Sequence, residues 1–474
     1  KSLEMENATV FDRFEKWLID NGAKFPGLYF KMYGPDQRGV HCKKDIDRNR
    51  RIMYVPLKCL ITDQMARQTK TGSLLISIEK RLSAPNHNQI IVFMLEDMMK
   101  KDSFFKPYYD ILPKDVSNFP VFWTDKEVEY LKGSTLGGEI QQRREKIRND
   151  YNIIGGLIPG FFDNFTFEKF LWCRTIVGSR NFTITIDGSK RTSMVRSCSV
   201  CSERSVLEIE SFHLFEHLTN IQTQVPQADM LNHYRPRETS WTFENDIRCF
   251  TITSLKPLKR GQQVMDSYGK KCNSKFLLHY GFAVELNREA NGVCLNKIAL
   301  KAKLRDEDPA LREKLFLSPR QKKVNISMSH QSKETREALG FMRIVVATPD
   351  ECRVMGKNHV GVVSVRNEVA AIRAVAEMCE KRLKGYPTTW EEDKTMLQKL
   401  KPFTNKRNAL VVIAGEKEIC HMWIRVAREI AEINDKSSSP TERTKRVTST
   451  YSGRDDDVAR FVLSLNRSLI LRGC

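Results

Sequence analysis

Three short motifs bring together side chains that could do chemistry. QADMLNH ends in Asn232-His233, DSYG contains Tyr268, and YGF supplies Tyr280 and Phe282, all within 51 residues. An aromatic hydroxyl can orient a nucleophile, and an amide and an imidazole can hydrogen-bond a polar ligand. Apolar walls can desolvate an amine and so favour its neutral form. Taken alone, each residue is more often a packing or turn residue, but their ordered combination indicates a functional site.

This combination resembles the SET-domain methyltransferases, which transfer a methyl group from S-adenosylmethionine to a protein side chain. The subfamily that it resembles is typified by the Rubisco large-subunit lysine methyltransferase (LSMT). SRNF (Ser179–Phe182) carries the same resemblance upstream, and SVRNEVAAIRAVAEMCEKRLKGYPTTWEED (Ser364–Asp393) and RNALVVIAGEKEI (Arg407–Ile419) carry it downstream. The resemblance extends over roughly residues 10–430.

The resemblance implies a role for each matched position. Tyr268 corresponds to the catalytic tyrosine whose hydroxyl lies near the methyl group. The residues implied to bind S-adenosylmethionine are Arg38, Gly39, Val40, Arg180, Asn232, His233, Tyr268 and Phe282. The residues implied on the substrate side are Phe182, Ala228, Asp229 (as a substrate-side acid) and Tyr280. Methyl transfer to an amine requires a deprotonated acceptor, alignment with the donor and exclusion of water, and these positions fit those requirements.

Two positions bear on which atom accepts the methyl group. In the histidine-methylating members that this chain resembles, Asn lies two residues after the SR-type arginine, and Trp immediately precedes the Asp of D-x-x-N-H. Here these positions are Phe182 and Ala228. We therefore predict a protein-lysine N-methyltransferase, with a protein-histidine N-methyltransferase as the alternative. A third possibility is a catalytically inactive scaffold that only binds protein, which the presence of Tyr268, Asn232 and Arg180 disfavours.

The hydrophobic patterns predict which elements position these residues. Apolar spacing indicates a helix over 9–21 and another over 165–178 that leads directly into SRNF. The fold class expected from the resemblance is α+β: a SET-domain β-fold with small sheets and a knot-like crossing, followed by an all-α domain. Ser437–Asp457 is predicted to be a flexible insertion before a last helix, Val458–Leu471. The predicted domains are 1–290, with a helical insertion at about 65–175 and a polar one at about 183–225, and 300–474.

The polar insertion contains a weak metal-binding pattern. Cys198-x2-Cys201 is followed after 11 residues by His213-x3-His217, one residue short of the usual Cys2His2 zinc-finger gap. The hydrophobic pattern of a finger is missing. We therefore expect free thiols at Cys198 and Cys201 rather than a zinc site.

Composition limits the other classes of function. The chain of 474 residues has a net charge of +20, which favours acidic partners, but its basic residues are scattered and no nucleic-acid recognition motif accompanies them. No apolar run is long enough for a membrane helix. The sequence contains no G-x-G turn, which counts against a nucleotide-binding fold. We therefore expect the partner to be a protein substrate that presents a lysine. We expect no membrane partner, and nucleic acid is not required. Twelve dispersed cysteines indicate a reduced cytoplasmic or nuclear protein, and we expect a monomer.

Overall fold

The computed structural model describes residues 9–34, 37–186, 219–357 and 361–471. The chain divides into two compact units, and the boundary after Tyr268 lies earlier than the predicted linker at 290–300. A short piece of the predicted helical insertion groups with the second unit. The first unit comprises Lys1–Asp115 and Glu145–Tyr268, and the second comprises Val116–Arg144 and Gly269–Cys474.

Small sheets form the framework of the first unit. β1 pairs with β2, β9 lies between β3 and β8, and β6 lies between β4 and β5, all antiparallel. β7 instead lies parallel to β10, with Met265 opposite Asn232. The strands are β1 (Leu28–Met32), β2 (Arg38–Cys42), β3 (Arg51–Pro56), β4 (Ile61–Thr62), β5 (Asn181–Ile186), β6 (Thr219–Gln224), β7 (Asn232–His233), β8 (Thr239–Glu244), β9 (Cys249–Ser254) and β10 (Met265–Asp266).

Helices lie before and between these strands along the chain, and side chains of the flanking residues cap several of the helices. Thr9 and Asp12 form a capping box at the first helix, and Thr166 caps the helix that ends next to Arg180. The helices up to this point are α1 (Val10–Asp20), α2 (Asp63–Arg67), α3 (Lys70–Ile76), α4 (Pro85–Asp97), α5 (Lys106–Asp110), α6 (Asp125–Val128), α7 (Leu136–Leu157), α8 (Phe161–Asn164) and α9 (Phe167–Ser179). α6 belongs to the second unit, and α7 begins in the second unit and ends in the first.

The second unit is mainly helical, which confirms the predicted fold class, and it also contains a two-stranded antiparallel ribbon, β11–β12. Trp423 lies in the centre of its apolar core and is fully buried. Its elements are α10 (Asn273–Tyr280), β11 (Lys297–Lys303), α11 (Leu311–Leu317), β12 (Gln321–Ser327), α12 (Lys333–Val345), α13 (Pro349–Val354), α14 (Val365–Leu383), α15 (Trp390–Lys399), α16 (Asn405–Asp435), α17 (Pro440–Tyr451) and α18 (Asp457–Ile470). Throughout the described ranges, each helix is too short or too polar to cross a membrane.

The predicted flexible insertion at Ser437–Asp457 is wrong, because most of it forms α17. Ser439 accepts a hydrogen bond from the main-chain nitrogen of Glu442, and Pro440 occupies the first helical turn. The polar composition hides this helix in the sequence. Val447 and Tyr451 are nevertheless buried in the core, and the Tyr451 hydroxyl donates to Glu429 on α16 at 2.6 Å.

A buried histidine lies between β12 and α12 in the same unit. The ring of His330 meets the Phe461 ring at 5.1 Å, and its Nδ1 lies 3.0 Å from the Ser464 hydroxyl. Burial lowers the pKa of His330 from 6.5 to about 4. The His330 ring is therefore neutral in the folded protein at physiological pH.

This histidine should make stability depend on pH. In the unfolded chain His330 takes up its proton at a higher pH than in the folded chain. The stability that the neutral ring contributes is therefore complete above pH 6.5 and is lost as the pH falls towards 4. Between pH 7.5 and pH 5 the free energy of unfolding should fall by about 2 kcal/mol more in the wild type than in His330→Gln. Urea unfolding at both pH values measures this difference. Parallel pH profiles for the two proteins would contradict it.

Candidate active site

The parallel pairing of β7 and β10 places Tyr268 beside the Asn232-His233 pair. The main-chain nitrogen of Tyr268 donates to Nδ1 of His233 at 3.0 Å, and the two rings lie 5.2 Å apart. The Tyr268 hydroxyl donates to the main-chain oxygen of Leu231 at 2.8 Å. A phenol oxygen and a peptide carbonyl are thereby fixed side by side, and both can accept from a donor group of a substrate.

Asn232 connects this crossing to strand β2. Its side-chain nitrogen donates to the main-chain oxygen of Arg38 at 2.9 Å, while its side-chain oxygen accepts no hydrogen bond from the described residues. Arg38 in turn directs its Nε at the sulfur of Met230, 3.1 Å away. The structure thus brings three predicted cofactor positions, Arg38, Asn232 and His233, to the same crossing as Tyr268.

Gly39 and Val40 follow Arg38 on β2, and contacts with other residues of the chain explain why residue 39 is a glycine. A Cβ on Gly39 would collide with the side-chain amide of Gln263 and lie 2.7 Å from the Tyr33 hydroxyl. Val40 is fully buried. The missing side chain at Gly39 therefore makes room for two neighbours, a requirement that its place in the sequence does not reveal.

Arg180, Asp229 and Tyr108 form a buried triad. Nη1 of Arg180 donates to the main-chain oxygen of Asp229 at 2.8 Å and lies 3.3 Å from Oδ2. The Tyr108 hydroxyl donates to the same Oδ2 at 2.7 Å. Burial raises the pKa of the Asp229 carboxyl, while Arg180 and Tyr108 act to lower it. This triad fixes the arginine next to the turn Ala228–Met230.

Asp229, for which the resemblance implies a substrate-side role, has a buried carboxylate. Its side chain has no exposed surface, because the carboxylate points inwards to Arg180 and Tyr108. In this position the carboxylate holds Arg180 in place. No sequence motif marks Tyr108, because it lies 121 residues from the acid that it binds.

Phe182 and Ala228, the positions that bear on the acceptor, have apolar environments. The Phe182 ring meets Trp241 edge-on at 5.3 Å and Phe250 at 5.1 Å. Ala228 is 2% exposed. The side chain at position 182 therefore belongs to an aromatic cluster, to which Trp241 and Phe250 contribute from β8 and β9.

In the second unit, the predicted aromatics Tyr280 and Phe282 lie at the end of α10. Phe282 stacks on Phe276 at 5.2 Å, and the Tyr280 ring lies 6.1 Å from that of Phe276. Gly281 ends the helix with a φ of 75°, a conformation that glycine adopts without strain. Burial raises the pKa of Tyr280, so its hydroxyl remains protonated at neutral pH.

The possible metal ligands Cys198, Cys201, His213 and His217 lie outside the described residues. Within the ranges that the structure does describe, no three His, Cys, Asp or Glu side chains come together as metal ligands.

Two family models match the chain. The SET domain matches residues 37–269, and the Rubisco LSMT substrate-binding domain matches residues 305–419. The fold is similar to the solved structure of Rubisco LSMT bound to AdoMet, with a TM-score of 0.67, 20% identity, and coverage of 95% of this chain and 99% of that one. Rubisco LSMT bound to sinefungin and monomethyllysine gives a TM-score of 0.68 at 20% identity, covering 95% of this chain and 98% of that one.

Two curated sequence relatives are named for a histidine acceptor. The human actin-histidine N-methyltransferase (Homo sapiens) is 23% identical over 440 residues, which cover 88% of this chain and 68% of the relative. The Gallus gallus enzyme of the same name is 22% identical over 449 residues, which cover 90% of this chain and 70% of the relative.

The triad predicts a non-additive pair of substitutions. Arg180→Met should destabilise the fold by about 3–5 kcal/mol, because it leaves a buried carboxylate without its cation. Arg180→Met combined with Asp229→Asn should recover part of that loss, because a neutral amide needs no counter-charge. Urea unfolding of the single and double variants tests this coupling. Equal destabilisation in both proteins would show that Asp229 does not depend on Arg180.

Proposed function

Because the chain belongs to the SET-domain methyltransferases that carry a Rubisco LSMT substrate-binding domain, we propose that it methylates a lysine nitrogen of a protein substrate. It is an S-adenosylmethionine-dependent methyltransferase. The acceptor residue is the proposed part, and the observation that carries it is the apolar environment of Phe182.

The donor and acceptor groups of the first unit suit S-adenosylmethionine. The unused side-chain oxygen of Asn232 can accept from the cofactor's ammonium group. Arg180 uses Nη1 for Asp229, which leaves its other nitrogens available to pair with the cofactor's carboxylate. The bound cofactor supplies an electrophilic methyl group on a sulfonium.

The residues around Tyr268 supply positioning rather than a general base. A lysine reaches the site as a thin aliphatic stem, and removing water around its amine lowers its pKa and favours the neutral nucleophile. The Tyr268 hydroxyl donates its proton to Leu231, so the phenol oxygen can act as an acceptor that orients an N–H of the amine. Fixed hydrogen-bonding groups of this kind lower the barrier without needing to reorganise.

Phe182 favours lysine over histidine on physical grounds. A histidine ring has a second nitrogen, and burying it without a hydrogen-bond partner costs about 1–3 kcal/mol. The phenyl ring of Phe182 offers no such partner, and neither does the methyl group of Ala228. An aliphatic lysine stem makes no such demand on the wall beside it.

The second candidate is protein-histidine N-methylation, and sequence similarity favours it. The relatives named actin-histidine N-methyltransferase match 88–90% of this chain. A histidine acceptor would require a polar group other than residue 182 to hold the second ring nitrogen.

Labelling decides between the two acceptors. The enzyme is incubated with isotopically labelled S-adenosylmethionine and a whole-cell lysate, and the labelled peptides are mapped by mass spectrometry. Methyl-lysine supports the proposal. Methyl-histidine without methyl-lysine would replace it with the second candidate.

Tyr268→Phe should retain cofactor affinity but lower kcat by about a hundredfold, because one preorganised hydrogen-bonding group, the orienting hydroxyl, is lost. Tyr234→Phe is a matched control, since Tyr234 is 46% exposed in the same unit. Calorimetric titration with S-adenosylmethionine and turnover on the mapped peptide separate the two effects. Wild-type turnover of Tyr268→Phe would remove the tyrosine from the mechanism.

Phe182→Asn should lower lysine turnover about tenfold, because it introduces an amide into the aromatic cluster and disturbs the apolar wall. Combined with Ala228→Trp, it should shift preference towards histidine. Ala228 is buried, so thermal unfolding must first establish that the double variant folds. Turnover is compared on two peptides that differ only in lysine or histidine at the acceptor position. Unchanged preference in a folded double variant argues against this role for the two positions.

We also propose a reducing compartment, the cytoplasm or nucleus. The supporting observation is that the structure describes nine cysteines and that all nine are free thiols, eight of them buried. Dispersed free thiols are typical of proteins in a reducing compartment.

A further inference from the structure

A cavity of about 290 Å³ lies within the second unit, and none of its lining residues is among those predicted to handle the cofactor or the methyl group. One wall is a face of α18, where Asp457, Arg460, Phe461, Ser464 and Arg467 recur at helical spacing. The opposite wall is the segment 328–331 that follows β12.

Hydrogen-bond donors face this cavity from both walls. His330 is only 6% exposed, and its Nδ1 is engaged by the Ser464 hydroxyl at 3.0 Å. Its Nε2 has no hydrogen-bond partner in the part of the chain that the structure describes. Arg467 likewise forms no ion pair with any described residue. A buried ring nitrogen and a guanidinium are therefore both available to a ligand.

The other charges in the cavity are already balanced. Arg460 pairs with Asp455 and, at 3.0 Å, with Asp457. Asp457 also accepts from Arg288 at 2.9 Å. Arg288 is itself shared with Glu418 at 3.0 Å. Among the residues that line the cavity, the acid Asp457 stands against Arg460 and Arg467, so the lining carries a net charge of +1.

The remaining lining is apolar. Met328 and Cys294 are each 6% exposed, and Phe461 places its ring 5.1 Å from that of His330. A bare anion would leave most of this lining uncovered, whereas a short apolar body would fill it. At about 290 Å³ the cavity is close to the lower limit for small-molecule sites in proteins.

We propose that this cavity binds an organic carboxylate with a short apolar body, its carboxylate paired with Arg467 and hydrogen-bonded by Nε2–H of His330. Burial keeps the His330 ring neutral by lowering its pKa to about 4. The Ser464 hydroxyl then donates to Nδ1, and Nε2 carries the hydrogen that faces the ligand. The carboxylate can come from a free organic acid or from an acidic residue of a peptide.

The probes are N-acetyl-leucine, which has a carboxylate on an apolar body, and N-acetyl-leucinamide, which lacks the charge. Calorimetric titration of the full chain should show that the acid binds at least tenfold more tightly than the amide. Arg467→Gln should weaken binding of the acid by about tenfold, the lower end for losing a charged hydrogen bond at an exposed arginine.

Arg428→Gln is the matched control. It removes one exposed positive charge from α16 of the same unit and does not line the cavity, so acid binding should be unchanged. Equal weakening in Arg428→Gln and Arg467→Gln would show a general charge effect and overturn the site, as would equal affinity for the acid and the amide. Ser464→Ala tests the second donor, because it should weaken acid binding without altering the charge.

Two further titrations separate the possible ligands. Inorganic phosphate binding as tightly as N-acetyl-leucine would overturn the amphipathic ligand, because the apolar lining would then contribute nothing. Comparing N-acetyl-leucine with the blocked peptide acetyl-Leu-Asp-Leu-amide distinguishes a free acid from an acidic peptide residue, and tighter binding of either one supports the site. No binding of the acid or the peptide at millimolar concentration would refute the proposal.

Discussion

The site in the first unit depends on one buried carboxylate. Asp229 is enclosed on two sides, by Arg180 at the end of α9 and by Tyr108 on α5. A buried charge without partners costs several kcal/mol, so the fold is stable only when α5, α9 and the turn Ala228–Met230 meet. That turn leads directly into β7, and the same contact therefore fixes the entry of Asn232 and His233 into the crossing.

The crossing itself leaves little freedom in register. Met265 lies opposite Asn232, and main-chain and side-chain bonds secure the pairing on both sides. Tyr234 donates its main-chain N–H to Asp266 at 2.9 Å, and the Thr239 hydroxyl donates to the Met265 carbonyl at 2.9 Å. A slip by one residue would reverse the side chains of β10 and move Tyr268 away from His233. The register of two short strands therefore determines whether the Tyr268 hydroxyl, which we propose to act in catalysis, is in place.

Local signals in the sequence predicted several helices and the site motifs. The features that the sequence analysis missed depend on contacts between residues far apart in the chain. The capping box of α1 and the helix before SRNF depend on neighbouring residues and are readable from the sequence. The role of Asp229 is not, because its partner Tyr108 is 121 residues away. α17 was also missed, because its polar sequence shows little apolar periodicity and the burial of Val447 and Tyr451 depends on tertiary contacts.

Whether lysine or histidine accepts the methyl group depends on a few side chains, and overall sequence identity does not report on those positions separately. An identity of 23% over 440 residues reflects a shared framework, and the fold is likewise shared with Rubisco LSMT at 20% identity. Both comparisons average over positions that never meet the substrate. The energetic difference between a lysine stem and an imidazole arises where a second ring nitrogen needs a partner. At that place this chain has Phe182 in contact with Trp241 and Phe250. A local polar requirement of about 1–3 kcal/mol is enough to change specificity tenfold or more, so the lysine acceptor that we propose rests on this cluster and not on overall identity.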